Sequence, residues 1–172
     1  MKVLTAAQMR EVDRLTTERF GVPSLQLMEN AGTRVAEFLT AQFTDLPKRK
    51  IVVLCGKGNN GGDGLVVARL LRRMGAHPKL FLFASLETVR GDAAVNLRRW
   101  VETSGELGVI TSAEQWEAAK GALATAEIVV DALLGTGLTG PVEGLLRRVI
   151  EDVNGLPESG LPPNVQVVAV DI

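Results

Sequence analysis

Five glycines fall within nine residues, Gly56-Lys57-Gly58-Asn59-Asn60-Gly61-Gly62-Asp63-Gly64, directly behind the apolar run Ile51-Val52-Val53-Leu54-Cys55. A short run this apolar and this rich in β-branched residues reads as a strand buried on both faces. Residues 65–74 then show helical spacing up to Gly75. Strand, glycine turn and helix in that order are the opening of a βαβ unit. Gly56, Gly58 and Gly61 fit G-x-G-x-x-G in that context. Such glycines let the backbone turn sharply and come close to an anion, while the helix start offers N–H groups and the positive end of its dipole. No Lys-Ser or Lys-Thr closes the loop, so it is not a Walker A loop. The same residues also read as a tight turn with Asn and Asp caps and no ligand.

The rest of the chain keeps the alternation. Thr5 and Gln8 form a capping box ahead of Met9, Val12 and Leu15, predicting a first helix to about Phe20, broken at Gly21-Val22-Pro23. From Ser24, Leu25, Leu27, Met28, Ala31, Val35, Ala36 and Leu39 predict a longer helix. Its stretch Met28-Glu29-Asn30-Ala31-Gly32 holds poor helix formers, and local breaks of this kind mark functional positions. Further strands are expected at 79–83, 107–110, 128–130 and 165–170. Further helices are expected at 93–103, behind Ser112, and at 142–153 with Pro141 at its start. A Gly/Pro-rich loop, 155–164, precedes the last strand. The pattern implies right-handed crossovers and an α/β fold: a doubly wound, mainly parallel sheet covered on both faces. With 172 residues, 46% of them hydrophobic, residues 1–172 read as a single domain. Asp171-Ile172 come directly behind a strand, where such folds continue into a loop and helix, so a domain incomplete at its C-terminus is expected.

Charge and cysteine usage exclude several classes. A net charge of -1 gives no electrostatic footprint for nucleic acid or a membrane surface. No apolar run approaches the ~18 residues of a membrane helix, and the N-terminus lacks a signal-like apolar region. A soluble, cytoplasmic protein is expected. A single Cys rules out a disulfide framework within the chain and a Cys-rich metal site. Cys55 reads as a core residue, His77 as a surface loop residue, and Trp100 and Trp116 as core or dimer contacts.

A second glycine loop leaves the fourth strand: Asp131-Ala132-Leu133-Leu134-Gly135-Thr136-Gly137-Leu138-Thr139-Gly140-Pro141. In a doubly wound sheet the first and fourth strands are often neighbours at the switch point, so two glycine loops would face one crevice. A carboxylate at the end of an apolar strand needs a cation or hydrogen-bond donors. Asn60 and Asp131 offer hard oxygen donors suited to a cation; Asp131 could equally cap the following backbone. A dinucleotide dehydrogenase needs an acid at the end of the second strand, but that strand runs into Phe83-Ala84-Ser85-Leu86 and Glu87 comes late. Lys57 reads equally as a phosphate contact and as a solvated loop residue.

These stretches resemble the YjeF N-terminal domain family, the NAD(P)H-hydrate epimerases. The likeness rests on Leu27-Met28-Glu29-Asn30-Ala31-Gly32, Gly58 to Gly64, Gly91-Asp92-Ala93 with Asn96, Asp131 to Gly140, and Val170-Asp171-Ile172, in the family's order over nearly the whole chain. The resemblance implies a Rossmann-like three-layer αβα fold, usually dimeric. It implies that Asn59, Asn60, Gly61, Gly62 and Asp63, with Gly135, Thr136, Gly137, Leu138, Thr139, Gly140 and Pro141, contact hydrated NADH or NADPH. It further implies potassium bound by Asn60 and Asp131, Asp171 at the reacting end as acid/base, and Glu29 and Asn30 lining the site. In the family the last stretch continues into Pro-Ser-Gly, whose Ser helps bind potassium; this sequence ends just before it. Many bacterial members are fused to an ADP-dependent dehydratase.

The implied substrate carries a hydroxyl on C6 of its reduced ring, beside N1, and is a hemiaminal. If an acid protonates the hydroxyl, the N1 lone pair expels it and leaves a planar iminium; water returning to the other face inverts the centre. One carboxylate can give and take the proton. Two other readings compete: a non-catalytic binding module of the same fold, and an ordinary NAD(P) oxidoreductase. The polar set Asn60, Asp63, Asp131 and Asp171 favours the enzyme over the module, and the missing second-strand acid disfavours the oxidoreductase.

Overall fold

In the computed structural model, which describes residues 4–138, 140–156 and 165–171, β1 (Ile51–Cys55) is buried along its whole length. Its side chains alternate: Ile51, Val53 and Cys55 enter one core, and Val52 and Leu54 the other. That is why the run carries no polar residue. Among the described residues β1, β2 (Lys79–Leu82), β3 (Leu107–Val109), β4 (Ile128–Ala132) and β5 (Gln166–Ala169) form one sheet in the order β3-β2-β1-β4-β5. All four pairings are parallel. Leu54 stands in register with Phe81 on one side and Asp131 on the other. The winding reverses between β1 and β4, so the two glycine loops leave adjacent strands and open one crevice.

The helices are α1 (Ala6–Phe20), α2 (Ser24–Gln42), α3 (Asn59–Arg73), α4 (Gly91–Glu102), α5 (Ala113–Ala119) and α6 (Gly144–Asn154). α3 and α4 cover one face, with α2 laid across α3; α5 and α6 cover the other. Trp100 and Trp116 are fully buried. Trp116 meets Phe81 and Phe83 edge-on, and its indole N–H donates to Asp152 Oδ2 at 2.7 Å. Cys55 is buried and His77 exposed. The capping box forms: the Thr5 N–H donates to Gln8 Oε1 at 2.8 Å and the Gln8 N–H to Thr5 Oγ1 at 3.3 Å. Gly21, with φ 69°, ends α1 in the left-handed region.

Two expectations are corrected. α3 begins at Asn59 rather than at residue 65, so most of the glycine stretch is helix. A Cβ on Gly64 would lie 2.6 Å from Ala132 Cβ, and one on Gly61 would lie 1.8 Å from the Gly56 oxygen. Close packing on the ends of β1 and β4 therefore offsets the ~1 kcal/mol that each helical glycine costs. α6 begins at Gly144, and Pro141 stands ahead of it, exposed. The expected fifth strand forms as β5, the edge strand of the sheet, with Val167 43% exposed. Of the loop expected at 155–164, residues 157–164 lie outside the described residues.

Candidate active site

A cavity of about 1110 Å³ lies above the C-terminal ends of the strands, between both glycine loops, α1 and the end of β5. Gly58 is the N-cap of α3 and brings no side chain to it. The Gly62 N–H bonds Gly58 oxygen at 3.0 Å. The N–H groups of Asn59, Asn60 and Gly61 precede the first intrahelical bond and have no partner within the helix. All three residues line the cavity, so the positive end of the α3 dipole opens into it.

The opposite wall is the second loop. Gly135, Thr136, Gly137 and Leu138 line the cavity together with Asp171. The Thr136 N–H donates to Asp171 Oδ2 at 2.9 Å. A Cβ on Gly135 would lie 2.6 Å from Asp171 Oδ2 and 3.1 Å from Asn60 Cβ, so these three residues meet at one point. Asn60 ties the walls together: its Nδ2 donates to the Leu134 oxygen at 2.7 Å. Its Oδ1 is buried and finds no hydrogen-bond donor among the described residues, in a residue only 8% exposed.

Asp131 sits in β4 below the cavity. Its Oδ1 accepts from the Leu133 N–H at 3.0 Å, the backbone cap that residue type alone leaves open as an alternative. Burial raises its pKa, and the Leu133 bond works against that rise. Asp63 is perturbed further: burial, then the charges of Asp171 and Asp13, push its pKa up to about 7. It lines the main cavity and also an adjoining chamber of about 430 Å³ under α1 and α2.

Not every residue named from the sequence reaches the cavity. Asn59, Asn60, Gly61, Asp63, Gly135, Thr136, Gly137, Leu138 and Asp171 do. Gly62 packs against Met28 instead, where a Cβ would lie 2.7 Å from the sulfur. Gly140 and Pro141 are exposed in the loop and do not line it. Thr139 lies outside the described residues. Glu29 and Asn30 do not line it either: Glu29 pairs with Arg69, and Asn30 accepts from Gln26 Nε2 at 2.9 Å along the surface of α2. Helical phase turns these two positions away while Ala31 faces in. Lys57 is exposed on the rim. Beyond β2 the wall is Phe83, Ala84, Ser85 and Thr88; Glu87 does not line it, so no carboxylate stands where a dehydrogenase holds its ribose. Arg10 and Asp13 of α1 join the site without having been singled out by motif. Arg10 Nη1 donates to the Thr136 oxygen at 3.1 Å across 126 positions of sequence, and Asp13 lines both spaces. Nothing in α1 beyond ordinary amphipathic spacing signals this.

A parallel sheet wound both ways from a β1/β4 crevice, with a glycine loop and an open helix start facing it, defines a Rossmann-like three-layer α/β domain. Within that class, residues 24–172 match the family described as YjeF-related protein N-terminus, and the chain belongs to it. The matched part begins after α1. The chain is similar to the bifunctional NAD(P)H-hydrate repair enzyme Nnr of Moorella thermoacetica, 45% identical over 155 residues, covering 90% of this chain and 29% of that protein. It is also similar to the NAD(P)H-hydrate epimerase of Pirellula staleyi, 39% identical over 165 residues, covering 95% and 67%. A crystal structure of the yeast protein ynu0 superposes with a TM-score of 0.79 at 26% identity, over 100% of this chain and 70% of that one. The chain thus spans under a third of the bifunctional relative's length.

Proposed function

We propose that this protein interconverts the R and S epimers of hydrated NADH and NADPH at C6 of the nicotinamide ring, an isomerase serving metabolite repair. The observation that carries the reading is the meeting of Asp171, Gly135 and Asn60 where the second glycine loop closes on the α3 start at the cavity. The open N–H groups of α3 suit the substrate's diphosphate, and the glycines of the second loop leave room for the dinucleotide beside them. At the reacting end Asp171, held by the Thr136 N–H, exchanges a proton with the oxygen that leaves or arrives at C6. The curated relatives named NAD(P)H-hydrate epimerase support the reading.

A potassium ion fits the residues present. Asn60 Oδ1 is a buried carbonyl oxygen in want of a positive partner, and Asp131 is a part-buried carboxylate whose bond from the Leu133 N–H leaves acceptor capacity. Both are hard oxygen donors, and they are the residues that would hold the ion. When bound it would supply positive charge to offset the Asp131 carboxylate and satisfy the Asn60 carbonyl oxygen. Among the described residues no group of three or more His, Cys, Asp and Glu could hold a metal, so an ion here would need oxygens from outside that set, the Asn60 amide oxygen among them.

The remaining features of this reading concern the whole protein. A homodimer is supported by apolar side chains on α1, with Phe20 76% exposed. Among the described residues no helix is long and apolar enough to cross a membrane; a cytoplasmic location is part of this reading because its substrate is a reduced dinucleotide. A dehydratase unit in the same polypeptide is supported by the bifunctional relatives. The reading is tested by supplying pure R epimer and following its conversion to S by chromatography. Conversion well above the uncatalysed rate is expected; a rate equal to that background overturns it.

A further inference from the structure

Inversion at C6 sets a geometric problem that one carboxylate on one side of the ring does not solve. The hydroxyl leaves from one face and water arrives on the other, so protons are given and taken on opposite faces. Three carboxylates line the cavity: Asp13 is exposed on α1, and the two set deeper, Asp63 and Asp171, stand on different walls. Asp171 follows β5 and is fixed by the Thr136 N–H on the wall of the second loop. Asp63 stands in the second turn of α3 and faces both the main cavity and the chamber under α1 and α2. Resting on the epimerase reading, we infer that Asp63 is a second catalytic residue, serving the face of the ring opposite to Asp171.

The surroundings of Asp63 suit a proton donor. Asp171 faces it from the end of β5 and Asp13 from α1. Arg14 and Glu18 of α1 and Asp92 of α4 line the same chamber. Arg10 and Lys57 lie on the main cavity. Arg14 is engaged by Glu11 and Glu18, and Arg10 by the Thr136 oxygen. Burial and the two neighbouring carboxylates leave Asp63 with a pKa of about 7, so near neutrality a large share of molecules carry the proton there.

The steps balance. Protonated Asp63 gives its proton to the C6 hydroxyl; the C–O bond breaks with its electron pair on oxygen, water leaves, and the N1 lone pair forms the N1=C6 bond. A water on the other face then bonds to C6, the π pair returns to N1, and the Asp171 carboxylate takes the proton from that water. One proton has moved from Asp63 to Asp171, and exchange with solvent resets it. The opposite epimer reacts with the roles reversed.

The test uses the purified protein in water enriched in oxygen-18, with pure R and pure S hydrate of NADPH supplied separately. Wild type should both invert each epimer and label it. Asp63→Asn should lose inversion by at least ~100-fold. It should still exchange the hydroxyl of one epimer without inverting it, because Asp171 alone can release and return water on its own face. Asp171→Asn should show the same behaviour with the other epimer. Should Asp63→Asn fail to fold, Asp63→Ser must give the same split. Inversion by Asp63→Asn within a few-fold of wild type overturns the inference, and so does loss of labelling from both epimers in both variants. A wild-type protein no faster than the uncatalysed reaction overturns the epimerase reading itself, a result read before any variant is compared.

Discussion

Asp63 tolerates burial beside two other carboxylates, and that arrangement costs stability. Its folded pKa of about 7 lies above the ordinary value of 3.8. Folding therefore favours the protonated form. The stability it allows is fully present below about pH 4 and is lost as pH rises through about 7, by on the order of a few kcal/mol. Asn keeps the shape and removes the charge. Asp63→Asn should unfold at higher urea concentration than wild type at pH 8, with the gap closing toward pH 4. Equal midpoints at pH 8 would show that Asp63 is not held against its charge. Asp131 is raised in the same direction by burial, but its bond from Leu133 makes it a poorer probe. Asn60 shows how much a residue type discloses by itself. An amide beside a glycine turn announces an oxygen donor. That its nitrogen clamps Leu134 while its oxygen finds no donor among the described residues depends on the fold.

At the scale of elements, α3 decides how the glycine stretch is understood. The sequence marks strand β1 to the residue and puts both loops on neighbouring strands, because an unbroken apolar run and a glycine turn have few interpretations. It hides the start of α3, because Gly61, Gly62 and Gly64 are poor helix formers whose use is contact with Gly56, Met28, Cys55 and Ala132. Contact of that kind is tertiary and leaves no local signal. Glu29 and Asn30 are misplaced for a related reason: a motif gives neighbours in sequence, while helical phase sends Ala31 inward and Glu29 to Arg69. The corrected start also separates two kinds of glycine. A Cβ on Gly61 strikes the Gly56 oxygen, whereas one on Gly58 meets nothing within 4 Å. Gly61→Val should lower the melting temperature, since the helix start must move. Gly58→Thr supplies a favourable N-cap and should leave melting unchanged or raised. It should weaken binding of hydrated NADPH more than tenfold, at least ~1.4 kcal/mol, by crowding the α3 start. Unchanged affinity by calorimetry would move the diphosphate away from α3.

At the scale of the whole molecule, segments far apart in sequence meet at one crevice: α1, the loops after β1 and β4, and Asp171 behind β5. The alternation of strands and helices makes this topology legible. The closure by α1, through Arg10 and the Thr136 oxygen, is not legible, because it joins two surface-like segments. A cation beneath the crevice would bind only the folded chain. Potassium chloride should then raise the melting temperature by a few degrees over equimolar tetramethylammonium chloride. Asp131→Asn should remove most of that difference, and identical melting of wild type in the two salts would contradict the assignment. The most direct measurement of the central claim is turnover of the R epimer by Asp171→Asn beside wild type, with binding of the hydrate measured on both. Wild type should convert R to S far above the uncatalysed rate. The variant should bind with similar affinity yet convert at least ~100-fold more slowly. Near-normal turnover by a folded Asp171→Asn protein would contradict the account, because the reaction would not then depend on the carboxylate at which both walls of the cavity meet.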